Sequence, residues 1–393
     1  MTKYDFDFLV FIGRFQPLHM AHVDIIREAL RKSKRVIVLV GSANNSGDIR
    51  NPFSFEQRQI WIENVFREQD SRLFVLPLND HTYNLNAWIE EVHKQVNSVT
   101  WHYKTSKGLK IGLIGRNKDH ASYYLKLFPE WGSVNFSYEK ILNLSVEEFD
   151  PYHLRLSNLG ATELRQELFE RTKALNEYSK LSVAQKVIRK EKDRLLLERF
   201  VPGRVYDDLV SGVDFVNKTE FTPWIETEEF KNLKAEYEYI KEYKKKWDNV
   251  PYPPTFTTVD AVVVQSGYIL LVKRKAHPGK GKWALPGGFL NQNETLLEGC
   301  LRELKEETKI KIPRNVLLGS LKAQKTFDDV HRDPRGRFLT TAFLFNLEPQ
   351  IDLPQVKAAS DAADVKWVPL AELEPNDLFI DHYFIIDNMT ASL

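Results

Sequence analysis

Four short, almost unbroken apolar runs mark the front of the chain: residues 8–13 (FLVFIG), 35–41 (RVIVLVG), 73–76 (LFVL) and 110–115 (KIGLIG). Between them the spacing turns helical, as in residues 22–32, where Ile25, Ile26, Ala29 and Leu30 share a face. Strands apolar on both faces, alternating with helices, predict a parallel α/β sheet. Ligands of such sheets lie beyond the carboxyl ends of the strands, which singles out the loop after the first run. At the back, residues 259–264, 268–273, 338–346 and 365–368 read as strands around one amphipathic helix carrying Leu297, Leu301 and Leu304. Strands bracketing a helix agree with a mixed α/β/α sandwich. Residues 166–250 read as charged helices punctuated by Pro202, Gly203 and Gly212, and 170–225 carry no pattern with a known counterpart. The expected division is therefore 1–170, a helical linker or insertion over 171–250, and 251–393.

Composition narrows the class. A chain of 393 residues with 42% hydrophobic content is long enough for two or more packed domains. A formal charge of +1 gives no reason to expect a nucleic-acid partner. The single cysteine, Cys300, excludes an internal disulfide framework and fits a reducing compartment. The apolar run near the N-terminus is too short for a signal or membrane segment. The expectation is a cytoplasmic protein without a membrane partner; homo-oligomer formation stays open.

The chemistry sits in two places. Glu303, Glu306 and Glu307 fall on consecutive turns of the back helix, where like charges repel by roughly 0.2–0.5 kcal/mol per pair. A divalent cation turns that repulsion into a site; Mg²⁺ favours carboxylates, water and substrate phosphates, and Mn²⁺ accepts the same octahedral oxygen set. Pro286-Gly287-Gly288 just before it lets backbone approach a ligand or metal. A plain solvated acidic helix is the competing reading. In the front loop, Gly13 permits a sharp turn, and His19 and His22 lie one turn apart at a helix start, a natural phosphate site. A metal site with only two histidines, or a structural pair, are the alternatives there. Thr162 and Arg165 open another helical pattern, the hydroxyl as cap and the cation one turn on.

The spacing over 288–310 resembles the Nudix hydrolase box: Gly288, five residues, Glu294, seven residues, Arg302-Glu303-Leu304, one residue, Glu306-Glu307, one residue, Lys309-Ile310. Lys309 stands where the box has glycine, which predicts a looser helix end. The resemblance implies a metal set of Gly287, Glu303, Glu306 and Glu307. The front run Gly13-Arg14-Phe15-Gln16-Pro17-Leu18-His19-Met20-Ala21-His22 resembles the nucleotidylyltransferase signature, with Ala21 in place of a glycine. Further ordered segments match the nicotinamide-mononucleotide (NMN) adenylyltransferase branch: 51–58 (NPFSFEQR), 83–88 (YNLNAW), 115–125 (GRNKDHASYYL), 128–131 (FPEW) and 160–165 (GATELR). This resemblance implies ATP binding by Gly13, Arg14, Phe15, His19, His22, Thr162 and Arg165, with His19, His22 and Arg165 catalytic. It implies NMN binding by Asn84, Trp88, Lys118 and Asp119, although Trp88 reads equally well as core and a surface ion pair is the alternative for Lys118 and Asp119. The loop at 327–337 is similar to that of Nudix enzymes acting on ADP-ribose and of related sensor domains; Arg335 and Arg337 are its candidates to clamp a diphosphate, with a solvated basic turn as the alternative.

The whole arrangement thus resembles bifunctional NMN adenylyltransferase/Nudix proteins, implying NAD synthesis at the front and ADP-ribose hydrolysis at the back. The rivals are a back domain serving as ligand sensor, a different substrate such as NADH, dinucleoside polyphosphates or oxidised nucleotides, and a cytidylyltransferase front.

Overall fold

The structure is a computed structural model that describes residues 4–106, 108–116, 124–172, 196–214, 219–359, 362–391 and 393. The chain divides into two compact units: Met1–Asp80 with Leu85–Lys234, and His81–Asn84 with Ala235–Leu393.

The first unit is built on an all-parallel sheet of β1 (Phe6–Gly13), β2 (Ser33–Val40), β3 (Leu73–Pro77), β4 (Ile111–Gly115) and β5 (Gly132–Asn135), ordered β3-β2-β1-β4-β5. Phe8 through Val10 in β1 and Val36 through Val40 in β2 are fully buried, as a sheet covered on both faces demands. The covering helices include α1 (Met20–Lys32), α2 (Phe55–Val65) and α3 (Leu85–Thr100). Val92 and Val96 of α3 pack with Phe8, Val10, Ile37 and Leu39. β1 is followed on one side by β2 and on the other by β4, so a crevice opens at the carboxyl end of β1. The described part of the expected connector, from 196 to 234, packs with this unit. Glu167 accepts from the backbone N–H groups of Leu196 (3.1 Å) and Leu197 (2.8 Å), Trp61 Nε1 donates to Asp208 (2.8 Å), and Trp224 stacks edge-on against Phe53.

The second unit has a seven-stranded mixed sheet: β6 (Thr255–Gln265), β7 (Tyr268–Arg274), β8 (Trp283–Ala284), β9 (Gly287–Phe289), β10 (Leu321–Phe327), β11 (Arg337–Asn346) and β12 (Ala362–Pro369). β6 and β11 run parallel over ten paired positions, and the other pairings are antiparallel. Alternation along β6 feeds two cores. Val259, Ala261 and Val263 meet Cys300, Leu301 and Leu304 of the acidic helix Leu296–Thr308, while Val262 and Val264 meet Ile385, Ile386 and Met389 of the helix His382–Thr390. Cys300 is a buried structural thiol, pushed well above its usual pKa by that burial. Among the described residues no helix is long and apolar enough to cross a membrane.

Candidate active sites

In the first unit the loop after β1 is tied down from three directions. A Cβ on Gly13 would stand 2.9 Å from the Phe15 ring, so only glycine leaves that ring its place. Phe15 itself holds a left-handed φ of 52° and packs between Phe11 and His22, at 5.4 and 4.7 Å between ring centres. The wholly buried Arg58 donates to the carbonyls of Arg14 (2.7 Å), Gly41 (2.6 Å) and Ser42 (3.1 Å). The Gln16 amide exchanges two hydrogen bonds with the Phe53 backbone, at 2.9 and 3.0 Å.

His19 caps α1, and its backbone N–H donates to His22 Nδ1 at 3.4 Å; the two rings stack with centres 3.7 Å apart. With Nδ1 accepting, the proton of a neutral His22 ring resides on Nε2, where it is available to a ligand. His22 keeps some surface open, yet desolvation by the protein around its ring pushes its pKa down to about 3, so it is neutral at pH 7. A histidine depressed in the folded state adds stability that is complete above its unfolded pKa and is lost as pH falls toward the folded one. The first unit is therefore expected to weaken between pH 6.5 and about 3, by somewhat less than roughly 1.4 kcal/mol per pH unit given the ring's open edge. Acid titration of urea unfolding checks this: His22→Gln should flatten the slope across that window.

Arg165 is buried and, at a pKa pushed down to about 10 by desolvation, still charged. It donates to the Gln16 carbonyl (2.6 Å) and to Thr162 Oγ1 (3.1 Å), so it bridges the histidine loop and the helix Ala161–Glu170. The expected hydroxyl cap is corrected: Gly160 is the cap, its N–H bonded to Glu163, and Thr162 lies inside the first turn. Glycine takes the cap position because its extended backbone is satisfied by the Glu163 carboxylate without a side chain of its own. Trp88 lies partly buried in α3, 6.2 Å between ring centres from Phe128. Asn84 is exposed and groups with the second unit. Lys118 and Asp119 lie outside the described residues.

In the second unit a pocket of about 260 Å³ is lined by Asp260, Arg274, Gly287, Gly288, Glu307, Arg335 and His382, among others. Glu307 is held by the Gly287 N–H at 3.0 Å; burial, with the neighbouring Glu303 charge, raises its pKa to about 8. Glu303 is raised for the same leading reason, and the buried Asp260 is pushed up to about 6. Arg302 ties Glu294, Glu303 and Glu306 together at 2.7, 2.7 and 3.1 Å. Glu306 is the most exposed of the acidic trio. Arg335 pairs with buried Asp333 at 2.7 Å and spreads over the Phe338 ring at 4.5 Å, inside the pocket. Arg337 instead donates to the Asp328 carbonyl at 2.6 Å, away from the pocket lining.

Both ends of the chain match known families. Residues 254–389 match the NUDIX domain model, and residues 10–104 match the Cytidylyltransferase-like model. A nicotinamide/nicotinic acid mononucleotide adenylyltransferase of Acinetobacter baylyi is 46% identical over 132 residues, 33% of this chain and 67% of that protein. An ADP-ribose pyrophosphatase of Methanocaldococcus jannaschii is 37% identical over 129 residues, 33% of this chain and 69% of that one. The structure of a bifunctional NMN adenylyltransferase/ADP ribose pyrophosphatase from Francisella tularensis, complexed with AMP and a Mn ion, covers 98% of this chain and 99% of its own, at 33% identity and a TM-score of 0.78. The chain belongs to this bifunctional adenylyltransferase/Nudix family.

Membership in the bifunctional family implies a divalent cation, and the residues of the second site fit one. A Cβ on Gly288 would lie 2.7 Å from Glu303 Oε1 and one on Gly287 2.5 Å from Asp260 Oδ1, so bare backbone here leaves room beside two carboxylates. Glu303 and Glu307 are both disfavoured as anions by their burial, the electrostatic state that a hard cation relieves. The trio is not pre-gathered: among the described residues no three acidic, histidine or cysteine groups already stand together as a metal cage, and Arg302 holds Glu303 and Glu306. Asp260, Arg274 and His382 are pocket residues absent from the sequence reading. A lone acid inside the apolar 259–264 run was the one available signal, for Asp260.

Lys309 does not leave the acidic helix with a loose end. It adopts the left-handed conformation at φ 48°, and the carbonyls of Glu307 and Thr308 accept from Ala359 (3.1 Å) and Lys357 (2.8 Å). Glycine holds that conformation without the Cβ penalty, so Lys309→Gly is expected to stabilise the second unit by about 0.5–1 kcal/mol in thermal unfolding, with hydrolysis unchanged.

Proposed function

We propose that this chain is a bifunctional enzyme of NAD metabolism, with an adenylyltransferase in 1–170, a Nudix hydrolase in 251–393, and 171–250 as an insertion that largely serves the first unit. The front transfers AMP from ATP to NMN, giving NAD and pyrophosphate; the back hydrolyses ADP-ribose to AMP and ribose 5-phosphate. The full-length likeness to the Francisella tularensis structure carries this reading, because it joins both halves in one chain.

At the front, the NMN phosphate is the nucleophile toward the α-phosphorus of ATP, so the chain need supply only position and charge. His22 Nε2–H and the His19 ring donate to phosphate oxygens as charge builds on the leaving pyrophosphate, and the charged Arg165, anchored on Gln16 and Thr162, faces the same phosphates. At the back, Glu303, Glu306 and Glu307 hold Mg²⁺, with Mn²⁺ as substitute, which supplies Lewis-acid stabilisation and a more acidic water. Arg335 is placed to bind the diphosphate, with Arg274 beside it in the pocket. The single buried thiol suits a reducing, cytoplasmic setting.

Product analysis tests the proposal: NMN with ATP, and separately ADP-ribose, each with Mg²⁺. Folded protein that yields no NAD removes the adenylyltransferase. ADP-ribose that binds without being cleaved makes the back a sensor, and preferential cleavage of NADH or a dinucleoside polyphosphate reassigns its substrate.

A further inference from the structure

His382 lines the second pocket but has no part in the chemistry assigned above. It opens the last helix, and its ring is held from several sides. The neighbouring Asp381 is clamped by both arms of Arg332, at 2.9 and 3.0 Å, which fixes the start of that helix. Phe379 stands edge-on to the imidazole with ring centres 5.4 Å apart, and the Arg274 guanidinium lies 4.0 Å from the centre of the same Phe379 ring.

The two ring nitrogens have different fates. Nδ1 accepts from the Leu285 N–H at 2.9 Å. A nitrogen that accepts carries no proton in a neutral imidazole, so the proton sits on Nε2. Burial, with the Arg332 and Arg274 charges beside it, holds the ring well below its ordinary pKa and therefore neutral at pH 7. Among the described residues Nε2–H has no protein acceptor, yet it is not sealed off as the buried unpartnered atoms are, so its open surface belongs to the pocket that the ring lines. The ring cannot act as a general base from this state, because its one lone pair is taken by Leu285.

The surroundings choose the acceptor. Leu285 lies two residues before Gly287, in the turn that faces the acidic helix, and Arg274, Arg332 and Arg335 line the same pocket. Asp260 and Glu307 face that space as well, and a hard cation held by acids is commonly completed by substrate phosphates. We propose that His382 Nε2–H is a fixed donor to an oxygen of the substrate's diphosphate, and that His382 is not the group that activates water. This rests on the hydrolase reading above.

Two arms test it on the full chain. In ¹⁵N-histidine-labelled protein with EDTA and no divalent cation, the Nε2 signal that disappears in His382→Asn should move when ADP-ribose is added. In hydrolysis with Mg²⁺, His382→Asn should raise KM for ADP-ribose about ten-fold with kcat within about three-fold, because asparagine places an oxygen where Nδ1 meets Leu285 and nothing where Nε2 stands. His382→Gln, whose amide N–H reaches the place of Nε2, should bring KM back to within about three-fold of the parent. An unmoved signal, a KM unchanged in His382→Asn, or an equal rise in both variants would overturn the donor. The first arm needs no turnover, so the two readings fail separately: ADP-ribose that moves the signal but stays uncut removes the hydrolase and keeps the donor, whereas ADP-ribose that is cut without moving it removes the donor alone.

Discussion

Glu303→Gln should lower ADP-ribose hydrolysis by about 10³-fold or more, roughly 4 kcal/mol of barrier, with NAD synthesis unchanged. The size follows from what the substitution spares. Glutamine fills the same volume against Gly288, and its carbonyl oxygen can still accept from Arg302, which now bonds Glu303 at 2.7 Å. Backbone, helix and pocket shape thus persist while one anionic donor disappears. The same change should leave the metal-free second unit as stable as before or slightly more so, because Glu303 is raised above the ordinary carboxylate range and the fold already disfavours its charge. Activity lost alongside a melting temperature that holds or rises marks a residue kept for chemistry. Glu298→Gln is the internal control. It lies on the same helix, but its carboxylate caps the start through Thr295 at 2.9 and 2.8 Å, and it should retain hydrolysis near the parent level. Product assays of both reactions on both variants decide the matter. Hydrolysis within ten-fold of the parent in Glu303→Gln, or a parallel fall in NAD synthesis, would end the two-site reading.

The elements legible in the sequence were those whose burial is complete on both faces or whose spacing is rigid. β1 to β4 were visible because continuous apolar runs leave a parallel strand few alternatives, and the acidic helix because its apolar and acidic residues repeat on separate faces. β5 and β10 were missed. Gly132 and Ser133 are exposed at a sheet edge, and β10 shows Lys322, Gln324 and Lys325 to solvent, so neither segment carries a strand's apolar signature. The second pocket was half legible. Glu307 belongs to the acidic helix, but Asp260, Arg274 and His382 converge from β6, β7 and the last helix, and each looks locally like part of a core element. His382 is the extreme case: its Nδ1 accepts from the Leu285 N–H at 2.9 Å, a pairing 97 residues apart that no local pattern encodes. Arg58 was hidden differently, since a wholly buried arginine bonded to three loop carbonyls looks in sequence like any helical arginine.

His22→Gln should cut kcat/KM for NAD synthesis by about 10²–10³-fold at neutral pH and leave ADP-ribose hydrolysis untouched. The choice of glutamine separates two jobs of this side chain. His22 Nδ1 accepts from the His19 N–H at the start of α1, a structural duty that a glutamine oxygen at the third helical position also performs. The ring's second nitrogen is different. With Nδ1 engaged and the ring held neutral, Nε2–H is a fixed donor whose direction is set by stacking on His19 at 3.7 Å and by the Phe15 ring at 4.7 Å. Glutamine that turns its oxygen to the His19 N–H carries its amide donors on a flexible stem, without those rings to aim them. The cap survives and the aimed donor is lost. Removing a preorganised donor from developing charge costs roughly 2.7–4 kcal/mol, the origin of the expected drop. Binding and chemistry part company in the kinetics: because the bond strengthens as the pyrophosphate leaves, the loss should appear in kcat more than in KM for ATP. The parent chain and His22→Gln should also show pH–rate profiles of the same shape from pH 8 down to about 5, since a ring depressed to about 3 does not titrate there. A rate near the parent's in a folded His22→Gln chain, or a loss confined to KM, would make His22 a cap and nothing more.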